Sequence, residues 1–185
     1  MSGHHLVLGK LQDFLTGETL DDTHDERFRQ EVARLLVEQK GFAAGEIETR
    51  RKLLLKSGEE RAVVGIDFLV NPLPFGKTCM IIRYGPGDLV SRQRPALGLS
   101  RLVERYQVPW VVVTNGKDAY VLSGTTGKVV AEGLDAIPSR SELVEGASEA
   151  DFARIDPHRA EVESRIVLLY EITGTCECDD NPCGL

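Results

Sequence analysis

Apolar residues first recur at helical spacing between about Asp25 and Lys40, where Phe28, Val32, Leu35 and Leu36 form one stripe. Thr23-His24-Asp25-Glu26 reads as a capping box, with Thr23 at the N-cap and Glu26 reaching back, and Gly41 closes the helix. The spacing then tightens into strand patterns near Glu46–Leu55 and Arg61–Val70, joined by a turn at Lys56-Ser57-Gly58-Glu59. Asn71-Pro72-Leu73-Pro74 breaks the run, because proline cannot continue a central strand. A third strand is expected from Lys77 to about Arg83, ended by Gly85-Pro86-Gly87. Pro95 suits the first turn of a second helix running to Tyr106, with Leu99, Leu102, Val103 and Tyr106 facing inward. Pro109–Val113 reads as a buried strand, and Asn115-Gly116 as a hairpin turn returning through Ala119–Leu122. A short strand at Lys128–Ala131 follows the Gly124–Gly127 turn.

From Gly133 to Asp156 the pattern is polar and weakly periodic, so a connector with one helical turn is expected. Asp156-Pro157 then opens a last helix ending near Thr173, with Val162, Ile166, Leu169 and Tyr170 on its inner side. Strands on both sides of a crossover helix imply an α/β fold with a mixed central sheet flanked by helices.

Composition narrows the class. The chain has 185 residues, 42% hydrophobic and 28% charged, which fits one globular domain and excludes wholesale disorder. No apolar run approaches the roughly 20 residues of a membrane span, and Met1-Ser2-Gly3-His4-His5 lacks a signal-peptide layout. A soluble, cytoplasmic protein with no membrane partner is expected. The net charge of −7 and pI near 5.2 speak against a free-standing, tight duplex-DNA binder.

Several side chains carry candidate chemistry. Gly76-Lys77-Thr78 is not a phosphate loop, because Asn71 stands where the first glycine belongs and a strand follows instead of a helix. Asp67 interrupts the apolar run Val63–Val70, and a carboxylate there needs a cation, a metal or hydrogen-bond donors. Cys79 reads as a small buried hydrophobe. Cys176, Cys178 and Cys183 near the end of the chain could bind Zn²⁺ or exchange disulfides, although they lack finger spacing. Arg50, Arg51, Lys52 and Lys56, with Arg92, Arg94, Arg101 and Arg105, could trace a path for a phosphate backbone.

Taken in order, these pieces resemble the N-terminal nuclease domain of type I restriction enzyme R subunits, in the restriction-endonuclease-like, PD-(D/E)xK superfamily. The resemblance runs from about Asp22 to Glu142: Glu26-Arg27-Phe28-Arg29-Gln30 opening a helix that ends at Gly41-Phe42, Ile47-Glu48, Arg61 to Asp67, Pro109–Gly116, and Ile137-Pro138-Ser139. It implies a restriction-endonuclease-like domain at 22–142. An N-terminal segment (1–21) precedes it; a connector and helix packed on it (143–174) and a cysteine-containing tail (175–185) follow. It also implies a site in which a strand aspartate and a carboxylate-x-lysine bind Mg²⁺ for water attack on DNA. Asp67 matches the aspartate, and Glu26 a further family position. Arg83 falls at the second carboxylate, Gly85 at the lysine, and Gly98 and Leu102 at the family's glutamine and tyrosine, while Arg101 matches.

An arginine in place of a metal ligand repels a cation and can itself satisfy Asp67. The expectation is a nuclease-fold protein without a working catalytic centre or a nuclease-site cofactor. It would act by binding nucleic acid (through Arg50, Lys52, Arg94 and Arg101) or a protein partner. The alternatives are a weak Mg²⁺-dependent DNA endonuclease using Asp67 and Glu48, and a metal or thiol module built on Cys176, Cys178 and Cys183.

Overall fold

The computed structural model describes residues 6–73 and 75–174, the side chains of 172–174 excepted. It opens with a small antiparallel hairpin, β1 (Gly9–Gln12) and β2 (Thr19–Asp22), where the sequence promised only an N-terminal segment. Helix α1 (His24–Arg34) follows and widens into a π-helical turn over Leu35–Gln39. Next come β3 (Ile47–Ser57), β4 (Glu60–Val70), β5 (Met80–Tyr84), α2 (Val90–Ser100), β6 (Trp110–Thr114), β7 (Ala119–Ser123) and β8 (Val129–Glu132). Helices α3 (Arg140–Glu149) and α4 (Pro157–Gly174) complete the order.

The strands β3 to β8 form one six-stranded sheet in chain order. Only the β5–β6 pair, linked through α2, is parallel. A parallel pair needs a crossover connection, and α2 supplies it. Two cores lie on opposite faces of the sheet. Val32, Ala33 and Leu36 from the α1 segment, with Leu143 and Ala147 of α3, cover one face. Ala96, Leu97 and Leu99 of α2, with Val167 and Leu168 of α4, cover the other. The result is a three-layer α/β/α arrangement, and Cys79 is buried in its first core with its thiol pushed up to about 11 by burial.

Three sequence expectations are corrected here. The 133–156 stretch contains a full helix, α3, started by a reciprocal Ser139–Glu142 capping box. Helix α2 begins at Val90 and ends at Ser100, so Pro95 sits inside it and not in its first turn. On α4 the buried side is Glu163, Ser164, Val167 and Leu168, whereas Val162, Leu169 and Tyr170 are exposed. The inner stripe was masked because Glu163 is a buried carboxylate neutralised by arginines from the facing helix segment.

Glu46 locks α3 onto the sheet. Its buried carboxylate accepts from the N–H groups of Ala43 and Leu73 and from Arg140 Nε and Nη2, the last two both at 2.8 Å. The Arg140 hydrogen bond, first among these, holds the Glu46 carboxyl below its ordinary value. Glu46→Ala leaves both N–H groups without their acceptor and the guanidinium with the Leu73 carbonyl alone. It should lower the unfolding free energy by about 2 kcal/mol, read as a lower urea midpoint at unchanged slope.

Candidate functional site

Residues on β4 change faces part-way along the strand. Val64 and Ile66 pack under α2 and α4, yet Phe68 and Val70 pack under α1 and α3. Strict alternation would put all four on one side. The switch falls at Asp67. Opposite it, Arg50 has φ of 55°, in the left-handed region, and the β3–β4 ladder pairs Thr49 with Phe68 and Arg51 with Ile66 while passing over Arg50 and Asp67. The β4–β5 ladder covers Phe68 to Val70, so Asp67 stands where β4 parts from β5. The opening is a cleft of about 320 Å³ lined by Glu26, Arg29, Arg50, Lys52, Gly65, Ile66, Asp67, Arg83 and Tyr84.

Both oxygens of Asp67 are occupied. Arg29 Nε donates to Oδ1 at 2.7 Å, and the Tyr84 backbone N–H donates to Oδ2 at 2.8 Å. Arg83 Nε lies 3.5 Å from Oδ2, and Arg83 Nη2 reaches Glu171 at 3.4 Å. Burial alone would lower the Arg29 guanidinium, but the charge and hydrogen bond of Asp67, with Glu26 and Asp25, hold it above its ordinary value. Arg29 also lies over the Tyr84 ring, 5.1 Å from its centroid, and the Tyr84 hydroxyl donates to Asp25 at 3.2 Å. Burial, helped by Asp25, pushes that phenol up to about 12. The expected Asp67–Arg83 pair is therefore present, but Arg29 is the closer partner and was missed.

A second half of the lattice joins through Glu26. Thr23 caps α1 by accepting from the Glu26 N–H. The Glu26 carboxylate does not return the bond, as the capping-box reading required; it accepts from Arg50 Nη2 at 2.7 Å and Gln30 Nε2 at 2.8 Å. Arg50 Nη2 also donates to Asp13 at 2.5 Å, and Gln30 Nε2 donates to Asp13 at 3.1 Å. Asp13 sits in the β1–β2 turn, so the N-terminal hairpin is part of the site. Burial would raise the Asp13 carboxyl, yet the Thr16 N–H, Arg50 and Gln30 together hold it down at about 2.

The other positions singled out in the sequence are spoken for as well. A Cβ at Gly85 would lie 2.3 Å from an Arg92 guanidinium nitrogen, so Arg92 fills the space where a lysine stem would begin. A Cβ at Gly98 would lie 2.7 Å from Val167, because α4 packs directly over it. Glu48 is bound to Arg51 and does not line the cleft. Arg101 is buried, with Nη1 2.6 Å from Glu163, and Arg94 reaches the same carboxylate at 2.6 Å. Burial would raise the Glu163 carboxyl, but these two arginines hold it below its ordinary value. Among the described residues, Lys52 alone of the four expected nucleic-acid contacts forms no ion pair. Cys176, Cys178 and Cys183 lie outside the described residues, within which no three His, Cys, Asp or Glu side chains gather as a metal-holding group. No described helix is long and apolar enough to cross a membrane.

A mixed sheet with helices on both faces and a C-terminal helix over α2 is a restriction-endonuclease-like architecture. Residues 24–138 match the family described as type I restriction enzyme R protein N terminus, and the chain belongs to that family. No curated protein and no solved structure matches it.

The Asp13 carboxyl gives the lattice a pH signature. Its folded pKa, about 2, lies below the ordinary 3.8. The stability it confers is therefore complete above about pH 4 to 5 and is lost as pH falls through 4 towards 2, an effect of roughly 2 kcal/mol. Urea titrations at stepped pH should show this loss, and Asp13→Asn should remove most of it.

Proposed function

We propose that this domain no longer hydrolyses DNA and works by binding. The observation that carries this reading is the occupation of both Asp67 oxygens by Arg29, Arg83 and the Tyr84 N–H. Metal-dependent phosphodiester cleavage needs a divalent ion held by hard oxygen ligands, to polarise the phosphate and lower the pKa of bound water. The residues present do not fit that ion. Arg83 stands where the family resemblance puts the second carboxylate, and its fixed positive charge faces the same oxygen a metal would use. Glu26, the other carboxylate lining the cleft, is bound to Arg50 and Gln30. The guanidinium groups balance charge as a metal would, but they offer no open coordination position and no acidic water.

Supercoiled plasmid incubated with Mg²⁺ or Mn²⁺ should remain uncut, and neither ion should raise the melting temperature of the chain. Nicking that disappears in Asp67→Ala would overturn the proposal and restore the weak endonuclease reading.

A further inference from the structure

We propose that the outer edge of β3, from Arg51 to Ser57, is a strand-addition site for an extended, acidic segment of a partner protein. The inference rests on the reading that the domain acts by binding, and it names the partner chemistry.

β3 ends the six-stranded sheet and pairs within it with β4 alone. An edge strand turns alternate backbone N–H and C=O groups outward, ready to pair with another chain. Past the face switch, Leu53 and Leu55 pack inward, and so do Val64 and Ile66 of β4. The opposite side of this part of the hairpin is uncovered: Leu54 is 55% exposed and its cross-strand partner Val63 63% exposed. Lys52 and Lys56, both exposed, flank Leu54 on that face. Lys52 pairs across with Gly65, where an added Cβ would meet nothing within 4 Å, and Lys56 pairs across with Arg61. The face therefore reads cation, apolar, cation along β3, with space beside the first cation and a second cation beside the last. Lys52 and Gly65 also line the Asp67 cleft, so the edge runs into the candidate site.

Residues directly opposite on neighbouring strands interact most strongly, and like charges opposite one another are destabilising. A strand added to β3 is matched when it places a carboxylate against Lys52, an apolar side chain against Leu54 and a carboxylate against Lys56. A second copy of the chain fails this test. Antiparallel pairing of two β3 edges about Leu54 sets Lys52 against Lys56, and parallel in-register pairing sets each lysine against itself. Nucleic acid fits less well than an acidic protein segment. The centre of the face is aliphatic and offers no aromatic ring for a base to stack on, and the chain carries a net charge of −7. The other edge, β8, is four residues long and ends in Glu132, so it offers no comparable pattern.

The test uses the full chain and a synthetic peptide of about seven residues with glutamate, leucine and glutamate at alternate positions and threonine between them. A twin peptide carries lysine for glutamate. The acidic peptide should bind, more weakly as salt rises, and should slow hydrogen exchange at alternate β3 amides. Lys56→Glu and Leu54→Asp, both surface changes, should each weaken binding about tenfold. Equal binding of the twin, unchanged affinity in both variants, or no protection along β3 would overturn the proposal. So would a single-stranded oligonucleotide that binds more tightly and loses affinity in the same variants, which assigns the face to nucleic acid. Plasmid nicking alongside intact peptide binding would remove the reading that the domain no longer hydrolyses DNA and leave this one standing.

Discussion

The reversal of faces at Arg50 and Asp67 is the constraint on which the rest of this structure depends. Without it, the root of the β3–β4 hairpin could not pack against α1 and α3 while its outer half packs against α4. A non-glycine residue at positive φ costs of the order of 1–3 kcal/mol and persists only where its surroundings hold it. Here the Arg50 guanidinium is held by Asp13 from the β1–β2 turn and by Glu26 from α1. On the partner strand the Asp67 carboxylate accepts the Tyr84 N–H, a backbone donor that regular pairing would give to β4. The irregular backbone and the arginine–carboxylate lattice are thus one feature seen at two scales.

This view explains why the N-terminal hairpin and α4 attach where they do. Buried ion pairs recover their desolvation cost only when geometry is good and the remaining donors and acceptors are satisfied. The β1–β2 turn brings the second acceptor for Arg50, and α4 brings Glu171 to the far side of Arg83. Helix α4 also sets Glu163 between Arg94 and Arg101, and its Val167 closes over Gly98. Arg83, Gly85 and Gly98 are therefore consistent with one another. Each is matched by a group that a larger or oppositely charged residue would displace.

Much of the fold was legible because strand alternation, the Asn115-Gly116 turn and the Thr23 cap are local signals. Asp67 was legible as a lone carboxylate in an apolar run, and Arg83 through its register with the family pattern. Arg29 and Arg50 were not, because their value lies in partners far along the chain; Arg29 meets Asp67 across 38 positions. The Glu26 reading failed by being too local, since a capping box and an inward carboxylate have the same spelling. Helix α3 was overlooked although Ser139 and Glu142 spell a capping box, because its exposed face diluted the apolar period. On α4 the inner face was misplaced because Glu163 and Ser164 look like surface residues until their arginine neighbours are seen.

The same long-range pairing changes what the acidic balance means. Net charge is a property of the whole chain, but a partner meets only charges that are not already neutralised. Arg29, Arg50, Arg83, Arg94, Arg101 and Arg140 are all spent on internal carboxylates. Arg29 and Arg83 share Asp67, and Arg94 and Arg101 share Glu163, but Glu26 beside Arg50 and Glu171 beside Arg83 bring the carboxylates to six as well, so the excess negative charge belongs to the remainder. Against that background, exposed cations that form no ion pair among the described residues, such as Lys52, Lys56 and Arg61 on one hairpin face, stand out more than the total of basic residues suggests. A short-range contact there is screened from the rest of the surface beyond about 8 to 10 Å at ordinary ionic strength. An acidic domain can therefore still present a local basic edge, and its reach is set by the strand that carries it.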